Sequence, residues 1–122
     1  MSHVIVSSAT ILDSRAAVTR LGGDAELYSD LVEFFLVDAP DLLKDLWHAI
    51  EADNTAEVRM KAHALKGLIA GCGGVRAVGV AQLIENTAQS GDPDELPSLV
   101  QTLEAEIDAL IQLLLPHRRR TT

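Results

Sequence analysis

Apolar residues return every third or fourth position along almost the whole chain, the spacing that lines one face of an α-helix. Only Val4-Ile5-Val6 suggests a strand, and a short one. Leu12, Ala16 and Leu21 predict a first short helix, stopped by Gly22-Gly23, whose freedom at positive φ suits a helix end. Asp24 can cap a second helix with the stripe Leu27, Leu31, Phe34 and Phe35. Asp38-Ala39-Pro40 is expected to break that run and open a third, since proline fits a first turn, and its stripe is Leu42, Leu43, Leu46 and Ile50. Asn54, with Glu57 three residues on, reads as a capping box for a fourth helix that runs to Gly71, Gly73 and Gly74. A fifth spans about Val75 to Gln89, with Val80, Leu83 and Ile84 among alanines, and Ser90-Gly91 ends it. Asp92, Pro93 and Glu95 start a last helix with a clean stripe: Leu96, Leu99, Val100, Leu103, Ile107, Leu110, Ile111 and Leu114. The simplest packing is all-α: an antiparallel up-down four-helix bundle, with one or two short N-terminal helices over one end. One domain over residues 1–122 is expected, its core about 10–115, with 116–122 a frayed tail after Pro116 that holds His117-Arg118-Arg119-Arg120.

Composition narrows the function. The chain has 122 residues and a formal charge of −8, from 10 basic and 18 acidic side chains. That length suits one core and leaves no room for a catalytic domain beside a regulatory one. An acidic chain lacks the fixed positive charge that binds phosphate backbones or anionic lipid, so neither nucleic acid nor membrane is an expected partner. Cys72 is the one cysteine, so no internal disulfide or Cys-rich zinc site can form, and a small buried apolar role is expected for it. No leader pattern or apolar run of spanning length is present, and a cytoplasmic location is expected.

Charge placement then singles out the fourth helix. From Val58 to Ile84 there is no acidic residue, while Arg59, Lys61, Lys66 and Arg76 lie within or close to that stretch. At about 100° per residue, Arg59, Lys66, Gly67 and Ala70 fall within roughly 60° of His63, and Val58, Leu65, Leu68, Ile69 and Cys72 fall opposite. His63 therefore faces away from the core. An exposed imidazole flanked by cations is a candidate nucleophile with groups to hold an anion, and neighbouring positive charge favours the neutral ring that can attack. Gly67 costs about 1 kcal/mol relative to alanine in a helix, so its presence beside His63 suggests a surface cleared for a large partner. Lys61, near the apolar side, is expected to snorkel, and Arg76 to line a partner surface.

Ala62-His63-Ala64-Leu65-Lys66-Gly67, followed by Gly73, resembles the signature of the histidine-containing phosphotransfer (HPt) domain family. The resemblance extends to Leu21-Gly22-Gly23-Asp24, Phe35-Leu36-Val37-Asp38-Ala39-Pro40, Ala52-Asp53 and Leu83-Ile84-Glu85, and covers roughly residues 10 to 112. It implies a phosphocarrier of a phosphorelay, without kinase or ATPase activity. By position, His63 is the phosphoacceptor, Lys66 the cation beside the phosphoryl group, Gly67 the clearance glycine and Gly73 the residue that shapes the helix end. Arg59, Ala70 and Arg76 join Gly67 as candidate binding residues. The partners implied are a response-regulator receiver domain, whose aspartate exchanges the group, and a sensor or hybrid histidine kinase. No cofactor of the chain's own is implied, Mg²⁺ being expected on the receiver, and the domain is expected to be monomeric. Leu68 and Ile69 depart from the small residues usual after the glycine, as Cys72-Gly73-Gly74 does from an apolar-Gly-Ala ending; both concern packing and partner choice.

Two other functions compete. A helical adaptor would bind a receiver or kinase without taking the phosphoryl group, and would have no need of His63, Lys66 and Gly67 together. A metal-binding bundle is suggested only by Asp45 and His48 as Asp-x-x-His, where a di-iron bundle needs two such motifs and further carboxylates. Trp47, Phe34 and Phe35 read as packing residues, and His3 and His117 as terminal surface groups.

Overall fold

The computed structural model describes residues 10–118. Five helices follow one another: α1 Ser14–Arg20, α2 Ala25–Glu51, α3 Thr55–Cys72, α4 Val75–Ser90 and α5 Leu96–Leu114. Short 3-10 turns at Pro93–Glu95 and Leu115–His117 precede and follow α5. The four long helices run up and down, α3 packing between α2 and α4, and α5 closing against α4 and α2. The expected all-α bundle is therefore present. Val4-Ile5-Val6 and His3 lie outside the described residues. Among those described, extended pairing is confined to one isolated bridge, Leu12 with Gly74, and no helix is long and apolar enough to cross a membrane.

Helices α1, α2 and α3 each start where a polar side chain takes up a free amide. Asp13 accepts from Ala16, Asp24 from Leu27 and Asn54 from Glu57, at 3.0, 2.9 and 3.1 Å. Asp92 accepts from Asp94, one turn before α5 begins.

The break expected at Pro40 does not occur, so the second and third predicted helices are one 27-residue helix with the proline inside it. An interior proline costs about 3 kcal/mol, through a lost amide donor and a clash one turn back. Against that, Tyr28, Val32, Phe35, Ala39, Leu43, Leu46 and Ala49 form a single buried seam across the proline. Burying Phe35, Leu43 and Leu46 alone contributes about 1.5–3 kcal/mol each, which exceeds the penalty. Pro40 itself is exposed. Pro40→Ala is therefore expected to stabilise the fold by about 1–3 kcal/mol, because it restores a donor toward Leu36 and relieves the ring clash. Urea denaturation would register this as a higher midpoint at unchanged slope; an unchanged or lower midpoint would show that the helix is strained for another reason.

The seam is also rotated from the predicted one. Leu27 and Phe34 are exposed, at 42% and 56%, while Tyr28 and Val32 take the interior. On α4, Leu83 faces solvent, and Ala77, Ala81, Ile84 and Thr87 form the buried side. Leu99 and Ile111 of α5 are half-buried flanks of its seam. Beyond α5, the ring of His117 stands edge-on to Tyr28 with centroids 5.7 Å apart. Cys72 is fully buried as expected, and burial pushes its thiol pKa up to about 12, which keeps it unreactive.

The turn between α3 and α4 seats α1. Gly73 has φ +88°, and a Cβ there would stand 2.5 Å from the Asp13 carbonyl oxygen. Only glycine meets both demands. The close approach lets the Asp13 amide donate to the Gly73 carbonyl at 2.8 Å and the Val75 amide to the Ile11 carbonyl at 3.1 Å. With Ala17 buried beneath it, α1 is tied to the end of α3.

Candidate functional site

The middle of α3 presents His63 on the outer flank of the bundle. Ala62 and Leu65, on either side of it in sequence, are fully buried and fix the helix's rotation, and the His63 side chain is left 70% exposed. Beside it lies an open hollow of about 450 Å³ lined by Arg59, Met60, His63 and Glu85.

The acid-free stretch around His63 ends at Glu85, and the hairpin between α3 and α4 brings that residue back to the imidazole. Its Oε2 lies 3.0 Å from His63 Nδ1, and its Oε1 lies 2.6 Å from Lys66 Nζ. Lys66 also donates to Gln82 Oε1 at 2.8 Å, and Gln82 Nε2 donates to Asn86 Oδ1 at 3.0 Å. The expectation of a purely cationic surround is corrected accordingly: a carboxylate sits between the ring and the lysine. Lys66 is a held cation, 24% exposed, rather than a free one.

Glu85 and Gln82 are the site residues that sequence reasoning missed as candidates. A readable signal existed in their i, i+3 spacing on one face of α4, with Glu85 the first acid after the basic stretch. Which helix that face meets depends on how the hairpin packs, and no local pattern states it.

The Glu85 side chain is 13% exposed. Burial works to raise its pKa, yet hydrogen bonds from Lys66 and His63, and then their charges, outweigh it, so the net displacement is downward from the ordinary 4.5. The carboxyl is thus ionised at neutral pH and can only accept hydrogen bonds. It follows that His63 Nδ1 carries the proton, and that the lone pair of the neutral ring sits on Nε2, directed away from Glu85.

A stability effect follows, with a definite sign. Folding favours the charged form of Glu85, so its contribution is complete above the unfolded value near 4.5 and is lost as pH falls through the lower folded value. Denaturation midpoints are expected to drop across that acid window in the wild type and to drop less in Glu85→Gln. Superimposable pH profiles would show that the carboxylate gains nothing from its partners.

The remaining candidates divide. Arg59 is exposed, borders the hollow and forms no ion pair among the described residues. Gly67 is open: a Cβ built on it would meet no atom within 4 Å, so nothing inside the protein requires glycine there. Ala70 is exposed on the same face, and its carbonyl accepts from Arg20 Nη2 at 3.1 Å. Arg76 is not gathered with them. It pairs with Glu106 of α5 at 2.6 Å, and nine residues of α4 turn it about half a revolution from Glu85. Lys61 lies half-buried between Asp45 and Glu57, at 3.4 and 3.6 Å. Asp45, of the Asp-x-x-His pair, is thereby engaged, and among the described residues no three His, Cys, Asp or Glu side chains converge as a metal site would need.

Comparison with known proteins adds two findings. The family model of the Hpt domain matches residues 30–113, which is 84 of the 122 residues. The crystal structure of histidine-containing phosphotransfer protein B (HptB) from Pseudomonas aeruginosa superposes with a TM-score of 0.83 at 26% sequence identity. The match covers 93% of this chain and 99% of that one. No curated protein sequence matched.

Proposed function

Because this chain belongs to the Hpt domain family, a phosphocarrier family of phosphorelays, we propose that His63 is the group that carries the phosphoryl. The observation that bears the most weight is the Glu85 bridge, which holds Nδ1 and leaves Nε2 bare on a 70% exposed side chain.

The reaction follows from that placement. The Nε2 lone pair attacks the phosphorus of a receiver's aspartyl phosphate in line with the acyl oxygen. As the P–N bond forms, the P–O bond breaks and its electron pair leaves with the aspartate carboxylate. Glu85 stabilises the positive charge that develops on the ring, by accepting from Nδ1–H. Lys66, anchored by Glu85 and Gln82, stands one turn along the same face as a cation for the phosphoryl oxygens. Arg59 supplies a second positive charge at the mouth of the hollow. The reverse transfer delivers the group to another receiver aspartate.

The domain brings a nucleophile, a fixed tautomer and local charge. Mg²⁺ and the acidic pocket belong to the receiver, whose approach needs a low, open face; Ala64, Gly67 and Ala70 keep it so. Docking is expected to be modest in area and reversible, since a carrier must release each partner. A cytoplasmic, monomeric protein served by a sensor or hybrid kinase fits this role.

The test is transfer from a phosphorylated receiver with Mg²⁺, read as acid-labile, alkali-stable label on this protein. Binding of the receiver without any label, at every receiver concentration, would favour the adaptor reading instead.

A further inference from the structure

The short helix α1 contributes a charge to the His63 face. Its last residue, Arg20, extends its guanidinium to the Ala70 carbonyl, 3.1 Å from Nη2. That carbonyl already accepts from the Gly73 amide at 3.1 Å, so the arginine is not required to satisfy it. Ala70 is seven residues beyond His63, about 20° off in direction and about 10 Å along the helix axis. Arg20 is exposed and forms no ion pair among the described residues, so the rest of its donors point to solvent.

Charge neutralisation sorts the cations of α3 and α4 beside Arg20; Arg15, Lys44 and Arg118, which also form no ion pair among the described residues, lie outside those two helices. Lys61, Lys66 and Arg76 each face carboxylates of the chain itself, namely Asp45 with Glu57, Glu85 and Glu106. Arg59 and Arg20 do not, and they bracket His63 from opposite ends of its face. In a chain of net charge −8, two unneutralised guanidiniums flanking one imidazole fit an acidic partner surface. A transient interface of about 600 Å² per partner is a disc of radius about 14 Å, wide enough to reach Arg20 from a centre at His63. The guanidinium is also pre-placed, since Ile11 and Asp13, which lead into α1, pair through their backbone with Val75 and Gly73 and seat the helix that carries it.

We infer that Arg20 is a docking residue, which holds an acidic receiver surface at the α1 end of the His63 face and sets receiver affinity without taking part in the chemistry. This rests on the phosphotransfer reading above.

The experiment separates the two. Wild type, Arg20→Glu and Arg20→Lys are loaded either by phosphoramidate, which is too small to need the docking face, or by a phosphorylated acidic receiver from the source cell that labels the wild type. Arg20→Glu is expected to raise KM for the receiver about tenfold and to flatten its dependence on salt, with kcat within about twofold. Arg20→Lys keeps KM within about threefold. Phosphoramidate labelling is expected to be equal in all three. An unchanged KM in Arg20→Glu overturns the inference, as does a parallel fall in phosphoramidate labelling, which would mark a structural role for Arg20 at the end of α3. Wild type that takes label from neither donor would overturn the phosphotransfer reading, and this inference with it.

Discussion

His63→Gln is expected to abolish label transfer from a phosphorylated receiver, a fall of about a thousandfold or more, while the protein keeps its stability. The reason for the loss is chemical. Glutamine fills a similar volume and can still hydrogen-bond to Glu85, but its amide nitrogen has no basic lone pair to attack phosphorus. The reason for the retained fold is positional: the His63 side chain is 70% exposed, and its hydrogen-bonded neighbour keeps Lys66 as a second partner. Of the other histidines described, His48 is exposed on α2 next to Asp45 and His117 packs against Tyr28. Neither ring is held by a carboxylate among the described residues as Glu85 holds that of His63. Transfer kinetics and a urea melt on the same preparation check both halves. Substantial label on His63→Gln would mean that a different residue carries the group.

Gly67 is expected to separate stability from transfer. Nothing lies within 4 Å of the place its Cβ would occupy, and its backbone is ordinary helix, so any helix-forming side chain is accommodated. Gly67→Gln should raise stability by about 0.5–1 kcal/mol, as replacing a helical glycine does. The same side chain would stand about 40° round the helix from His63, one turn along, in the path of an approaching receiver. Because phosphoryl transfer depends on in-line placement, a displacement of about 1 Å is enough to lower kcat/KM by about a hundredfold. Phosphoramidate labelling should be little changed. A variant that is more stable and transfers within twofold of wild type would show that this face is not where the partner docks.

The two substitutions illustrate what the chain discloses by itself. Helix type, the caps at Asp24 and Asn54, and the turn at Gly73-Gly74 were all readable, because each rests on local chemistry that acts within a few residues. The outward direction of His63 was readable for the same reason, since Ala62, Leu65 and Ile69 mark the buried side of α3. Pro40 misled because its penalty is local, while the seam that outweighs it is tertiary. The rotated seam of α2 has a related cause. From Leu27 to Val37 apolar residues fall on several faces, so periodicity alone does not choose Tyr28 and Val32 over Leu27 and Phe34. Glu85 was out of reach as a site residue because it meets His63 across 22 positions, through the packing of one helix on another. The same packing sends Arg76 to Glu106, where charge density along the sequence had placed it with His63.

The site of phosphorylation is the most direct test. Protein labelled with ¹⁵N is loaded by a phosphorylated receiver with Mg²⁺, and the modified histidine and its nitrogen are read from the imidazole spectrum and from peptide mass. The account predicts phosphate on Nε2 of His63, with Nδ1 still protonated against Glu85. Phosphate on His48 or His117, on Nδ1 of His63, or on no histidine at all would contradict it.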